Sequence, residues 1–134
     1  MNRVFGLMGL LAVAVIIAGA NVRAEDKDEA VKTSKIMKAC FGKGGCCGAT
    51  IAAGKKEDWE TAAAKAKIFV ETIEKLPKGE PAKGDKAAFQ KQAKAFVTKV
   101  KDLATATEKK DKGAFDKAVK AVQSSCGACH KAHR

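Results

Sequence analysis

Residues 111–134, DKGAFDKAVKAVQSSCGACHKAHR, contain the pattern that decides the fold. Apolar residues recur through this stretch at helical spacing, and Asp111 is suited to cap the start of the helix. The stripe consists of Phe115, Ala118, Val119, Val122, Cys126, Cys129 and His130. Because the two cysteines continue the core stripe, we expect them on the buried face of an amphipathic helix.

Three segments further upstream also show helical apolar spacing, and no segment shows the strict alternation of a strand. They run from about Asp26 to Ala53, from about Lys56 to Leu76, and from a cap at Asp85 to Ala104. We therefore predict an all-α, antiparallel four-helix bundle. In that topology the first helix starts at the end of the bundle where the fourth helix finishes, so Met37 and Cys40 approach residues 126–130.

The first of these helices has a weak point at residues 41–48, FGKGGCCG. Four glycines fall in seven positions there, and each costs about 1 kcal/mol relative to alanine inside a helix. We expect this helix to be bent, frayed or packed unusually closely at the glycines.

The amino terminus has the features of a secretory signal peptide. Arg3 precedes the apolar run VFGLMGLLAVAVIIAGA, and Val22, Arg23 and Ala24 offer small residues around a cleavage point. The apolar core is short for a membrane span, and no later segment is apolar for long enough, so we expect no stable membrane insertion. We predict a signal peptide at residues 1–24, one domain at 25–134 and a periplasmic location; a retained anchor helix is the alternative.

The charge balance is strongly basic. Residues 1–24 hold two of the 26 basic residues and none of the 15 acidic ones, so residues 25–134 carry a formal charge of +9. This balance favours acidic protein partners. The lysines are scattered along every segment, which is also typical of solvated helix faces. Nucleic acid is not an expected partner of an exported chain.

The string Cys126-Gly127-Ala128-Cys129-His130 is the signature of covalent c-type haem attachment. Two thiols three residues apart lie on one face of a helix, where each can form a thioether with a haem vinyl group. The adjacent imidazole then reaches the iron from the proximal side. We predict haem c as the cofactor, bound by Cys126 and Cys129, with His130 as the proximal iron ligand.

Three other interpretations of the motif fit the sequence less well. A thioredoxin-like Cys-x-x-Cys is expected beside a strand-helix unit, and the pattern contains no strand. A zinc site needs two more ligands, for which the vicinal Cys46 and Cys47 are a poor chelating pair. A structural disulfide suits an oxidising compartment but needs no histidine.

With this motif at the end of a four-helix pattern, the chain resembles the class II cytochromes c, the family of cytochrome c′ and its low-spin relatives. The resemblance rests on CGACHKAHR at the carboxyl end, on the number of helices, and on IMKACFGKGGCCGATIAAGK at residues 36–55. It implies a helical bundle with haem on Cys126 and Cys129 and with His130 as proximal ligand. It also makes homodimerisation a plausible expectation.

The chain departs from the family pattern at several positions. An arginine that family members often direct at the haem propionates is missing, so Lys32 or Lys35 would have to serve. The aromatic residue often found three positions after the motif histidine is His133 here. Cys40, Cys46 and Cys47 lie outside the usual pattern.

The sixth position of the iron divides the candidate functions, because a filled position favours electron transfer and an empty one favours binding a small gas. Met37 is the one methionine of residues 25–134, and family members with six-coordinate iron use a methionine in this region. Met37 as core filling and Cys40 as the ligand are the alternatives. We expect a one-electron carrier; a five-coordinate protein that binds NO or CO is the second hypothesis.

A third hypothesis is a haem-free protein that uses its cysteines as thiols or metal ligands. No pair of carboxylates and no nucleophile-base set accompanies the motif, so we do not expect a substrate-converting enzyme. Cys40 and Cys47 would be about 10 Å apart in a continuous helix, too far for a disulfide. A bond within this segment therefore predicts a broken helix; intermolecular pairing and free buried thiols stay open.

Overall fold

The computed structural model describes residues 32–134, which form five α-helices and one short 3-10 turn. The elements are α1 (Thr33–Phe41), α2 (Cys46–Lys55), α3 (Trp59–Ile73), the 3-10 turn (Leu76–Lys78), α4 (Lys86–Glu108) and α5 (Lys112–His133). The predicted signal peptide and the predicted start of the first helix lie outside the described residues. The all-helical class expected from the sequence is confirmed.

The helices pack against one another in chain order. α2 packs on α3, α3 on α4 and α4 on α5, and α2 also touches α5. Only three residues connect α2 to α3, and only three connect α4 to α5. Extensive packing between neighbouring helices joined by such short turns is typical of an antiparallel bundle.

The predicted first helix is broken into α1 and α2, and its glycines explain the break. Gly44 adopts φ +75°, a left-handed conformation that side chains disfavour. A Cβ on Gly45 would lie only 2.5 Å from the carbonyl oxygen of Cys40. The chain therefore makes a tight turn at the glycines, and α1 with α2 takes the place of one continuous helix.

Aspartates cap three of the helices, which fixes where they start. Asp85 accepts a hydrogen bond from the Ala88 N–H at 2.7 Å, and Asp111 accepts one from the Ala114 N–H at 2.9 Å. Both caps were expected from the sequence. Asp58 adds a third at the start of α3, so these helix ends leave fewer backbone donors unsatisfied.

The core runs along the whole bundle and is built from the predicted stripes. At about 1.5 Å per residue α2 is about 15 Å long and α5 about 33 Å, so α2 covers only part of α5. α1 and the 3-10 turn complete the bundle at the end where α5 finishes. The largest fully buried apolar side chains are those of Phe69, Ile73, Leu76, Val100, Leu103, Phe115 and Val122.

Candidate functional site

Two adjoining cavities lie between α1 and the last turns of α5. Their volumes are about 700 Å³ and about 270 Å³. Four residues line both of them: Met37, Phe41, Cys129 and His130. The end of the bundle that carries the cysteine motif therefore contains space beside the motif.

The motif residues occupy successive positions on the last turns of α5. Cys126 lines the smaller cavity, and its Sγ donates a hydrogen bond to the Val122 carbonyl at 3.4 Å. The side chains of Cys126 and Cys129 are half-buried, whereas His130 is exposed. The sequence places all three on the core stripe. His130 departs from that expectation because a cavity that opens to the surface, and not another helix, adjoins this part of α5.

Burial controls the chemistry of the two motif thiols. It raises the pKa of Cys126 above its ordinary value. It raises the pKa of Cys129 in the same way, with a smaller contribution from the neighbouring Cys126. Both groups are therefore neutral thiols near neutral pH, unlike the thiolates of reactive redox cysteines.

Met37 lies on α1, on the far side of the cavities from α5. Its side chain is half-buried and packs against the hydrophobic core. Lys32 at the start of α1 lines the larger cavity, and Lys35 does not. The topology thus brings Met37 to the same space as His130, as the sequence argument expected; whether it binds iron stays a prediction.

The other three cysteines are buried and line neither cavity. Burial and a hydrogen bond with Cys46 raise the pKa of Cys40 well above its usual range. Burial, followed by the charges of Cys126 and Cys46, raises the pKa of Cys47 to about 11. The helix is broken, as a disulfide within this segment would require, but the structure has all five cysteines as free thiols. Cys40 as an axial ligand gains no support from this position.

The zinc alternative has no geometric support in the part of the chain that the structure describes. No group of three or more His, Cys, Asp or Glu side chains among residues 32–134 is placed to hold a metal ion.

The mouth of the larger cavity is basic. Lys32, Lys38 and Arg134 line it, together with a single acid, Glu80, that is paired with Lys86. A cofactor with carboxylates at one edge matches this charge distribution. Three cationic side chains here could take the place of the arginine that family members often direct at the haem propionates. Lys32 is one of the two lysines that the sequence predicted for this role.

Sequence reasoning missed the part that residues 80–84 and His133 play at this site. His133 is 7% exposed, and its Nε2 is the one buried side-chain nitrogen or oxygen among the described residues without a hydrogen-bond partner. Glu80 and Ala82, from the loop before α4, line the larger cavity. The only sequence signal was the proline- and glycine-rich composition of that loop, which predicts a turn but no contacts.

The cavities fit the cofactor that the motif indicates. The larger volume falls within the range of about 300–1,000 Å³ that is typical of cofactor sites. Together the two cavities are lined by apolar side chains, by the thiols of Cys126 and Cys129 and the imidazole of His130 on α5, and by the thioether of Met37 on α1. A helical bundle with a Cys-x-x-Cys-His motif facing such a cavity defines a c-type cytochrome.

Comparison with known families supports the assignment to the c-type cytochromes and identifies one family among them. The model of the family described as Cytochrome C′ matches residues 28–134, so the chain belongs to that family. Membership implies a covalently bound haem. The searches of curated proteins and of solved structures found no match.

Among residues 32–134 no helix combines the length and apolarity needed to cross a bilayer.

Proposed function

We propose that this chain is an exported, periplasmic cytochrome that carries one electron between redox partner proteins. Its haem c is joined to Cys126 and Cys129, and His130 and Met37 are the axial ligands of the iron. The observation that supports this proposal is that Met37 and His130 line the same two cavities from opposite helices. When bound between a histidine and a methionine, haem iron supplies a one-electron couple of raised reduction potential.

The residues around the cavities suit this role. Leu76, Ala93 and Phe96 give the smaller cavity an apolar wall, which keeps water away from the inner part of the site. His130 is exposed, so the outer part of the site lies close to the protein surface. An electron carrier needs both features, because a dry site resists ligand exchange and a surface edge shortens the path to a partner.

Partner choice follows from charge in this proposal. Residues 25–134 carry a formal charge of +9, and the cavity mouth itself is basic. An acidic redox partner would be steered to this surface by long-range attraction. The signal peptide expected at residues 1–24 supports the periplasmic location.

A second candidate function is binding of NO or CO by a five-coordinate iron. One observation favours it: the smaller cavity provides about 270 Å³ of largely apolar space beside Met37. In that case Met37 would be a wall of the gas pocket and not a ligand. Family membership is compatible with both candidates.

The first experiment measures the mass of the protein after expression in a cell that exports it and attaches haem c. We expect the mass of residues 25–134 plus one haem. Cys126→Ala with Cys129→Ala should abolish attachment, because both thioether positions are lost. Cys46→Ala is the matched control, since Cys46 is a buried cysteine that lines neither cavity. A bare chain in the unmodified protein would end both haem proposals and favour the haem-free thiol hypothesis.

A further inference from the structure

The loop between the 3-10 turn and α4 connects the two sides of the site. We call residues 80–84 the strap. On the α1 side, the Thr33 hydroxyl donates a hydrogen bond to the Glu80 carbonyl at 2.8 Å, across 47 positions of sequence. On the α5 side, the Ala82 N–H donates to the His133 carbonyl at 3.2 Å.

The His133 side chain adds a second bond between the strap and α5. Its Nδ1 lies 3.3 Å from the Lys83 carbonyl oxygen. Because a carbonyl oxygen can only accept, Nδ1 must carry the proton in this contact. The ring also packs edge-on against Phe89, with centroids 5.4 Å apart and planes at 77°. The imidazole is therefore held by a hydrogen bond on one side and an aromatic contact on the other.

Gly84 allows the strap to approach α5 this closely. It adopts φ +83°, and a Cβ there would lie 2.8 Å from the Ala132 carbonyl oxygen and 2.9 Å from His133 Nδ1. A side chain at this position would be strained by the backbone conformation and would push the strap away from α5. The contact thus depends on glycine.

The strap meets each helix one turn away from a candidate axial ligand. Thr33 is four residues before Met37 on α1, and His133 is three residues after His130 on α5. Among residues 32–134, no hydrogen bond or ion pair joins α1 directly to α5; the connection runs through the strap.

Both attached segments need such support. α1 has only nine residues, fewer than a helix needs to be stable alone in water, and only Ile36 and Cys40 on it are buried. In the last turn of α5 only His133 is buried, and its ring is the one that the strap contacts. The hydrogen bonds of the strap therefore add polar links between two segments that are otherwise held only by packing on their neighbours.

We infer that the strap sets the spacing between α1 and the end of α5 and so holds Met37 opposite His130. Thr33, Gly84 and His133 are positioning residues for this geometry, and none of them is a ligand. The inference rests on the proposed function for its spectroscopic consequence, but the spacing itself is a property of the chain.

Three variants of the haem-loaded protein test this inference. Thr33→Val removes the hydroxyl with little change in shape, His133→Phe keeps the aromatic packing but loses the Nδ1–H, and Gly84→Ala pushes the strap outward. The matched control is Thr105→Val, because the Thr105 hydroxyl donates at 3.0 Å to Lys101 within α4 and does not touch the strap.

Two measurements report on the variants. The first is the ratio of high-spin to low-spin ferric haem, together with carbon monoxide affinity. Each strap variant should raise both by about two- to tenfold, the factor expected for one lost hydrogen bond. The second is hydrogen exchange of the α1 amides, which should lose protection in His133→Phe and Gly84→Ala although these changes lie outside α1. Thr105→Val should leave both measurements at their unmodified values.

The outcomes separate this inference from the proposed function. Unchanged spin ratio, gas affinity and α1 exchange in all three variants would overturn the role of the strap. If the mass shows no haem, the proposed function fails, and α1 exchange alone supports or refutes the strap. If the unmodified protein is high-spin, ligation by Met37 fails, and carbon monoxide affinity with α1 exchange still tests the spacing. Gly84→Ala failing to fold would leave Thr33→Val and His133→Phe to answer the question.

Discussion

Replacing Met37 by leucine separates its two candidate roles, ligand and core residue. Leucine fills nearly the same volume as methionine, and such exchanges usually cost less than about 1.5 kcal/mol. It has no sulfur to bind iron. If Met37 is the sixth ligand, Met37→Leu should change a low-spin haem into a high-spin one and open the iron to carbon monoxide. If Met37 is only core, the spin state should not change.

The structure gives the size of the accompanying loss of stability. Truncating a fully buried methionine to alanine costs about 2–5 kcal/mol. The Met37 side chain is only half-buried, so Met37→Ala should cost about half of that, or about 1–2.5 kcal/mol. For a domain of this size the loss corresponds to a decrease in Tm of about 4–15 °C. Met37→Leu should retain most of the stability.

The assay compares the absorption and electron paramagnetic resonance spectra of both variants and the unmodified protein, with covalent haem content verified by mass. Covalent attachment should survive in both, because Cys126, Cys129 and His130 are untouched. A Met37→Leu protein that remains low-spin and does not bind carbon monoxide would refute the ligand role of Met37.

Three further predictions concern the rest of the molecule. A hydrogen bond from Thr61 lowers the pKa of Asp58, so the stability contributed by this cap is present above the ordinary carboxyl range and is lost as pH falls through the lowered pKa. In urea unfolding, the stability difference between the unmodified protein and Asp58→Ala should shrink below about pH 4. A stability difference that does not change with pH would contradict this prediction. Burial raises the pKa of Cys47 to about 11, so the protein should lose stability as pH rises from about 8.5 toward 11. Cys47→Ala should make this loss of stability smaller. An equal dependence of stability on pH in both proteins would show that other groups cause the loss. With an acidic redox partner, the bimolecular electron-transfer rate should fall steeply as salt is added, since screening shortens the range of attraction to about 10 Å at 0.1 M. A rate that does not depend on salt would show that the formal charge of +9 serves solubility and not partner binding.

Helix periodicity and capping residues were enough to predict most of the fold. Phe69, Ile73 and Phe115 are buried where their stripes place them, and Asp85 and Asp111 cap the helices that they were expected to start. These are local signals, because each depends on residues within a few positions of one another. The bundle topology then follows from connections that are mostly short.

The break between α1 and α2 could be predicted only in part. The glycines indicated a weak helix, but a bend, a frayed end and close packing were all compatible with them. The choice depends on tertiary contacts: the Gly45 backbone packs against the Cys40 carbonyl, and the three buried thiols of this segment lie in the core. Such contacts are not encoded in a local pattern.

Part of the candidate site could also be predicted from local patterns, and part depends on tertiary contacts. The spacing of the motif predicts Cys126, Cys129 and His130 as site residues, and the fold places them and Met37 around the same cavities. The strap could not be foreseen, because Thr33 and Glu80 are 47 positions apart and the bond uses a backbone carbonyl that every residue possesses. The burial of His133 likewise depends on how the loop folds over the end of α5.

The spin state of the unmodified, haem-loaded protein tests the central claim most directly. Optical and electron paramagnetic resonance spectra should be recorded in the oxidised and the reduced state, on protein whose mass confirms one covalent haem. Ligation by His130 and Met37 predicts low-spin iron in both states and no rapid binding of carbon monoxide. High-spin iron that binds carbon monoxide at once would contradict the electron-carrier assignment and favour the five-coordinate gas-binding protein.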